Sequence, residues 1–287
     1  MGDRKKPTLG DQHEISNYRI RDTLHLVRTG LSPGTKYNVR TYAKTSDGSV
    51  YGNIVSFTTR PATVSKTFNP ALTYGSVTDI DGNSYKTIAI GTQEWMAENL
   101  KTTRFNDGAL IPLVTDNVAW DNLKTPGYCW FENDEAVFRN IYGGYYNWYS
   151  VFTERLCPTG WHVPSEEDWK VLKMTLGMTE EQATSTYGPS GTTEGDKLKE
   201  TGTINWMEGS TAATNESGFT ALPGGTRIDI DAKFFGEGSG AGWWSSDPFM
   251  DYGMAWSHHL TYNSSLIYRS DMLFKVNGLN IRCIKDK

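Results

Sequence analysis

From Leu24 the chain alternates apolar and polar positions: Leu24 and Leu26, a turn at Ser32-Pro33-Gly34, then Tyr37, Val39, Thr41 and Ala43. Asp47-Gly48 reads as a hairpin turn leading into a strand from Val50 to Thr59, so a small antiparallel β meander is predicted. At Ser165 the period changes. Trp169, Leu172 and Leu176 recur at i, i+3 and i+7, which is one face of a helix, and Gly177 ends it. Ser165 with Asp168 forms the N-terminal cap, while Glu166, Glu167 and Asp168 place negative charge at the positive end of the helix dipole. Thr179-Glu-Glu-Gln182 repeats the capping pattern for a second helix, and Lys197 to Glu200 suits one further turn.

Between and beyond these elements the text is strand-like and rich in turns. Val77 to Gly91 reads as a hairpin turning at Asp81-Gly82, which Trp95 to Leu100 continues. Further extended runs are 218–225, 242–246, 254–262, 266–271 and 279–284, with Asn263-Ser264-Ser265 closing a hairpin. Residues 1–22 are polar and expected to fray, and 63–75, with Thr, Ser, Asn and Pro70, reads as a linker. The expected organisation is therefore a β unit over 1–62, the linker over 63–75 and a main domain over 76–287.

Composition narrows the class. No run reaches the eighteen apolar residues of a membrane span. Residues 1–60 hold ten basic against five acidic residues; the remainder holds 18 against 28, a net charge of −10, which argues against nucleic acid as partner of the main domain. All ten tryptophans lie between Trp95 and Trp256 among many Tyr, Gly, Ser, Thr and Asn residues, a mixture typical of loop-rich extracellular recognition domains. Met1-Gly-Asp-Arg-Lys-Lys6 reads as an artificial edge with no export signal, so an extracellular or bacterial outer-surface location is an inference. Cys129, Cys157 and Cys283 permit three single pairings, and spacing does not choose among them.

Candidate chemistry is sparse. Asp79, Asp81 and Asn83 invite a calcium reading, but the glycine falls at loop position four and Ile90 at position twelve, so a plain β turn is preferred. His258 and His259 are strand neighbours that point to opposite faces and cannot share a metal without a bulge. His162 is expected to bond backbone instead of acting as a base, and the acidic trio is accounted for by the helix start. No phosphate loop, nucleophile elbow or zinc spacing occurs, so no cofactor is expected. For sugar recognition, aromatic platforms beside polar groups occur at Tyr252, Trp256, Tyr262 and Tyr268, with Asp247, Asp251 and Arg269. The competing reading is that these aromatics simply pack.

Two resemblances add to this. Gly30-Leu-Ser-Pro-Gly-Thr-Lys-Tyr-Asn-Val-Arg-Thr-Tyr-Ala43 with Tyr51-Gly-Asn-Ile-Val-Ser-Phe-Thr-Thr59 resembles the last three strands of a fibronectin type III domain, Leu31 and Tyr37 matching its tyrosine corner. A complete domain of that type has about seven strands, so truncation is expected, with either packing on the main domain or dimerisation through an exposed β edge. The main domain resembles the Fibrobacter succinogenes major paralogous domain family. The shared motifs are Trp95-Met-Ala-Glu-Asn-Leu-Lys101, Tyr146-Asn-Trp-Tyr149, Leu156-Cys-Pro-Thr-Gly-Trp-His-Val-Pro-Ser165, Lys197-Leu-Lys-Glu-Thr-Gly202, Ala213-Thr-Asn-Glu-Ser-Gly-Phe-Thr-Ala-Leu-Pro-Gly-Gly225, Trp243-Trp-Ser-Ser246 and Ile281-Arg-Cys-Ile284.

The resemblance implies an α+β, C-type-lectin-like fold, related to the formylglycine-generating scaffold: a twisted antiparallel sheet, two helices and long loops. It gives a reason for a Cys157–Cys283 disulfide, a reduced core pair being the alternative. If those two are bonded, Cys129 stands alone and the oxidase chemistry of formylglycine-generating relatives lacks its cysteine pair. The expected function is a noncatalytic extracellular binding protein, for adhesion or glycan binding. The alternatives are a protein-interaction module and, behind it, the oxidase. Expected partners are a glycan or a surface protein.

Overall fold

The computed structural model describes residues 31–32, 35–45, 48–59, 66–186, 188–202, 204–249 and 253–287. The chain divides into two compact units, Met1–Val64 and Ser65–Lys287. Among the described residues of the first unit, strands β1 (Lys36–Val39) and β4 (Val55–Thr58) pair antiparallel, as do β2 (Tyr42–Thr45) and β3 (Gly48–Tyr51). The Tyr37 hydroxyl accepts a hydrogen bond from the Ser32 amide at 2.8 Å.

The second unit is α+β. Its first sheet, in the order β10-β17-β7-β6-β5, joins β5 (Gly75–Thr78), β6 (Ser84–Ile90), β7 (Gln93–Met96), β10 (Trp161–His162) and β17 (Ile284–Lys285). Short pairs β8 (Tyr128–Cys129) with β9 (Tyr145–Tyr146), and β12 (Thr226–Arg227) with β13 (Phe234–Phe235), pin the loops. A second sheet, β11-β16-β15-β14, comprises β11 (Pro189–Ser190), β14 (Gly240–Phe249), β15 (Met254–Thr261) and β16 (Ile267–Phe274). The helices are α1 (Asn117–Asp121), α2 (Glu135–Tyr142), α3 (Trp148–Val151), α4 (Glu166–Leu176), α5 (Glu180–Thr184) and α6 (Glu194–Leu198).

Local rules account for much of this. Ser165 and Asp168 form a full capping box at α4, Thr179 and Gln182 another at α5, and Gly177 closes α4 with a positive φ of 124°. The β5–β6 hairpin turns where expected, Gly82 adopting φ 81°. The predicted linker 63–75 is, from Lys66 onward, part of the second unit: Phe68, Leu72 and Tyr74 pack on its core, and Lys66 pairs with Glu98 at 2.5 Å. A polar-looking segment with three apolar side chains on one surface is better buried than left as a tether.

Adjacent tryptophans reveal how the second sheet is used. Neighbours on a strand face opposite ways, so Trp243 joins the core beneath α4 with Trp95, Trp169 and Leu260, while Trp244 joins a different core with Trp148, Ala255, Cys157 and Cys283. Buried arginines stiffen the irregular chain between elements. Arg282 donates to Asn99 Oδ1 at 2.6 Å and to the Thr220 carbonyl at 3.0 Å, and Arg227 donates to the Val114 and Ala232 carbonyls at 2.8 and 2.9 Å. Loop carbonyls that no ladder satisfies would otherwise be costly inside a core.

Candidate functional site

Cys157 and Cys283 form a disulfide that closes a separation of 126 residues and fixes the segment before α4 to the one entering β17. Cys129 is free and buried, and burial pushes its thiol up to about 12, so no cysteine here is poised as a nucleophile. The Asp79-to-Asn83 loop is self-satisfied: Asp79 accepts from the Tyr85 hydroxyl at 2.5 Å and the Asn83 amide at 2.9 Å, and Asp81 accepts from the Thr103 amide at 2.5 Å. Among the described residues no group of three His, Cys, Asp or Glu side chains could hold a metal ion.

The outer face of β14, β15 and β16 is divided in two by α4. At one end Trp243, His258 and Arg269 lie opposite one another across the strands, and α4 covers them: Trp169 stacks on His258 at 4.4 Å. Glu166 closes this covered end, receiving Arg269 Nε at 2.5 Å and His258 Nε2 at 2.9 Å. Burial alone would raise the Glu166 carboxyl, but His258 and Arg269 more than offset it and hold it near 2. Burial pushes His258 down to about 4, so at neutral pH a neutral imidazole donates to an ionised Glu166. Lys173, equally buried, is lowered by burial to about 8 and donates to the Ala183 carbonyl.

At the other end the same face runs past α4. Phe249 lies opposite Met254, and Met254 opposite Phe274, so three apolar side chains form one row across three strands. Met272, two residues before Phe274, shares its face, and Trp256 meets Phe249 edge-on at 5.1 Å. The opposite face at this end is the buried one, carrying Ala255 and Leu273 into the core. Met272 is 72% exposed and Phe274 43%, while Phe249 and Met254 are half-buried.

The sequence-predicted residues fall on different parts of this sheet. Asp247 accepts the Glu166 amide at 2.6 Å and so belongs to the start of α4. Arg269 lies over the half-buried Trp256 ring at 3.7 Å, which joins these two and places them between the covered and bare ends. Tyr268 faces His259 and Pro189, on the side opposite Arg269, and Tyr262 packs against the core beneath α4. Asp251 and Tyr252 lie outside the described residues. Among the described residues, Asp247, Trp256, Tyr262, Tyr268 and Arg269 do not converge on one concave aromatic site. His258 and His259 part to opposite faces as expected, whereas His162 bonds two carboxylates, Asp168 and Asp286, and not backbone.

Phe249, Met254, Met272 and Phe274 escaped the sequence reading. Their signal was present in Met272-Leu-Phe274, where a strand is apolar on both faces. The other concavity of note, about 510 Å³, lies between β7, β17 and the start of α4 and includes Gln93, Glu94, His162, Asp168 and Lys285.

Comparison with known proteins places residues 88–285 in the Fibrobacter succinogenes major domain. No curated protein and no solved structure matches the chain. With the match running from β6 to β17 and taking in the disulfide, α4 and the whole second sheet, this chain belongs to the Fibrobacter succinogenes major domain family.

Proposed function

We propose that the second unit is a noncatalytic extracellular binding module that grips a partner protein with the bare end of the β14–β16 face. The observation that carries this reading is the row of Phe249, Met254 and Phe274, extended by Trp256 and Met272, half-buried toward β14 and exposed at Met272 and Phe274. Apolar rows clustered on one open face are a recognised mark of protein contact surfaces, whereas isolated exposed apolar residues are ordinary. The buried disulfide supports an oxidising, extracellular setting, and the lectin-like scaffold expected from the motifs belongs to the same proposal.

Glycan binding is the second reading, favoured by Trp256 at the edge of the row with a polar neighbour in Arg269. Its limit is geometric, because the guanidinium already covers one face of the indole. For the first unit, the exposure of Val50, Val55 and Phe57 supports pairing of its strand edges with a second copy.

The test uses the whole chain on a glycan array and on an array of purified extracellular proteins, with Met272→Glu, Phe274→Ser and Trp256→Ala variants. A protein ligand lost in the first two variants is the expected result. A glycan ligand lost only in Trp256→Ala supports the second reading. Binding unaffected by all three, or none at micromolar concentration, overturns both.

A further inference from the structure

His162 sits at the mouth of the 510 Å³ cleft, on β10, opposite Ile284 of β17. Its Nδ1 lies 2.6 Å from Asp286 Oδ1 and its Nε2 lies 3.2 Å from Asp168 Oδ2. An ionised carboxylate only accepts, so holding one on each ring nitrogen requires a hydrogen on both, and this geometry fits only the imidazolium. The bond to Asp168 raises the His162 pKa, partial burial opposes it, and Asp286 adds to the rise. For Asp168, burial acts to raise the carboxyl, but the bonds from His162 and Ser165 hold it near 2.

The two carboxylates are held very differently. Asp168 is the third residue of α4, its side chain 14% exposed and bonded by the Ser165 amide at 2.9 Å and hydroxyl at 2.6 Å. Asp286 is 54% exposed, its side chain meeting His162 and its amide bonding the Gly160 carbonyl at 2.9 Å. The other charges lining the cleft are Glu94 on β7, paired with Lys285 of β17 at 2.9 Å, and Lys287. Once the ring loses a proton, one nitrogen presents a lone pair to a carboxylate. The bond that fails is the one to the more exposed, less supported Asp286.

We propose that His162 is a proton-operated latch, pinning the chain after Lys285, through the Asp286 side chain, to the start of α4 and so closing one wall of the cleft, which opens on deprotonation. The latch is independent of the binding face proposed above. Because the folded form holds the proton more tightly than the unfolded one, the contribution is complete below about pH 6.5 and is lost as pH rises through the raised value.

The test is an NMR titration of the histidine ring with amide exchange at Asp286, corrected for the intrinsic pH dependence, in the whole chain at pH 5.5 and 8.5. The expected outcome is a His162 pKa above 6.5 and at least a tenfold loss of Asp286 protection at the higher pH. In His162→Gln that protection is low at both pH values, and in Asp286→Asn the His162 pKa falls toward 6.5; the second variant alone suffices if the first does not fold. A His162 pKa at or below 6.5, or Asp286 protection indifferent to pH or to both substitutions, overturns the proposal.

Discussion

Acidification between pH 6.5 and 4 strains the second unit chiefly through buried imidazole, and His258 allows the effect to be isolated. The ring is almost wholly buried, stacked on Trp169, with Nε2 on Glu166 and no partner for Nδ1. Burial depresses its pKa from 6.5 to about 4, so on acidification the unfolded chain takes the proton first. The stability contributed by the neutral ring is complete above pH 6.5 and is lost as pH falls toward 4. At about 1.4 kcal/mol per pH unit, that interval is worth about 3 kcal/mol. Glu166 stays ionised down to about 2, so its bridge to Arg269 persists throughout. Urea unfolding followed by tryptophan fluorescence reports on this unit alone, since all ten tryptophans lie within it. His258→Gln retains an amide donor for Glu166 but cannot titrate. Between pH 6.5 and 4 the natural chain is expected to lose about 3 kcal/mol more than the variant. Equal pH slopes would refute the reasoning.

Replacing Cys157 and Cys283 with serine should lower stability by about 5 kcal/mol, from the loop-closure entropy of their separation, measured as the shift in urea midpoint. Trp169→Ala, which empties the contact between α4 and the outer face of the second sheet, should cost about 3–5 kcal/mol in the same assay. Met272→Glu should change stability by less than about 0.5 kcal/mol while abolishing capture of a protein ligand, because its side chain meets solvent. Sedimentation of the whole chain should show dimer at high concentration, weakened by Val55→Lys on β4; a monomer at every concentration refutes edge pairing.

The capping boxes of α4 and α5, the Asp81-Gly82 turn and the strands around Asn263-Ser264-Ser265 were legible in the sequence because each follows from contacts within a few residues. The candidate surface was not. Trp256, Tyr262 and Tyr268 read alike as aromatics on one hairpin, yet a bulge between Ala255 and Ser257 and the alternation of β16 send them to different environments. Glu166 was assigned wholly to the helix dipole, although its carboxylate is taken up by His258 and Arg269, 92 and 103 residues away. His162 was given a backbone partner, since nothing local announces that Asp286 arrives beside it.

By itself the amino-acid order determined the capped helices α4 and α5, the principal hairpins, the family and the cysteines available for a clamp, since propensity, caps and motif spacing act over short stretches of chain; the short helices α1, α2 and α3 were not foreseen. Tertiary structure alone decided which half of the β14–β16 face α4 covers and which it leaves bare. It also decided that His162 stands between two carboxylates. Both depend on where distant segments meet, which is set by burial of apolar surface over the whole unit and by geometry that no local pattern encodes.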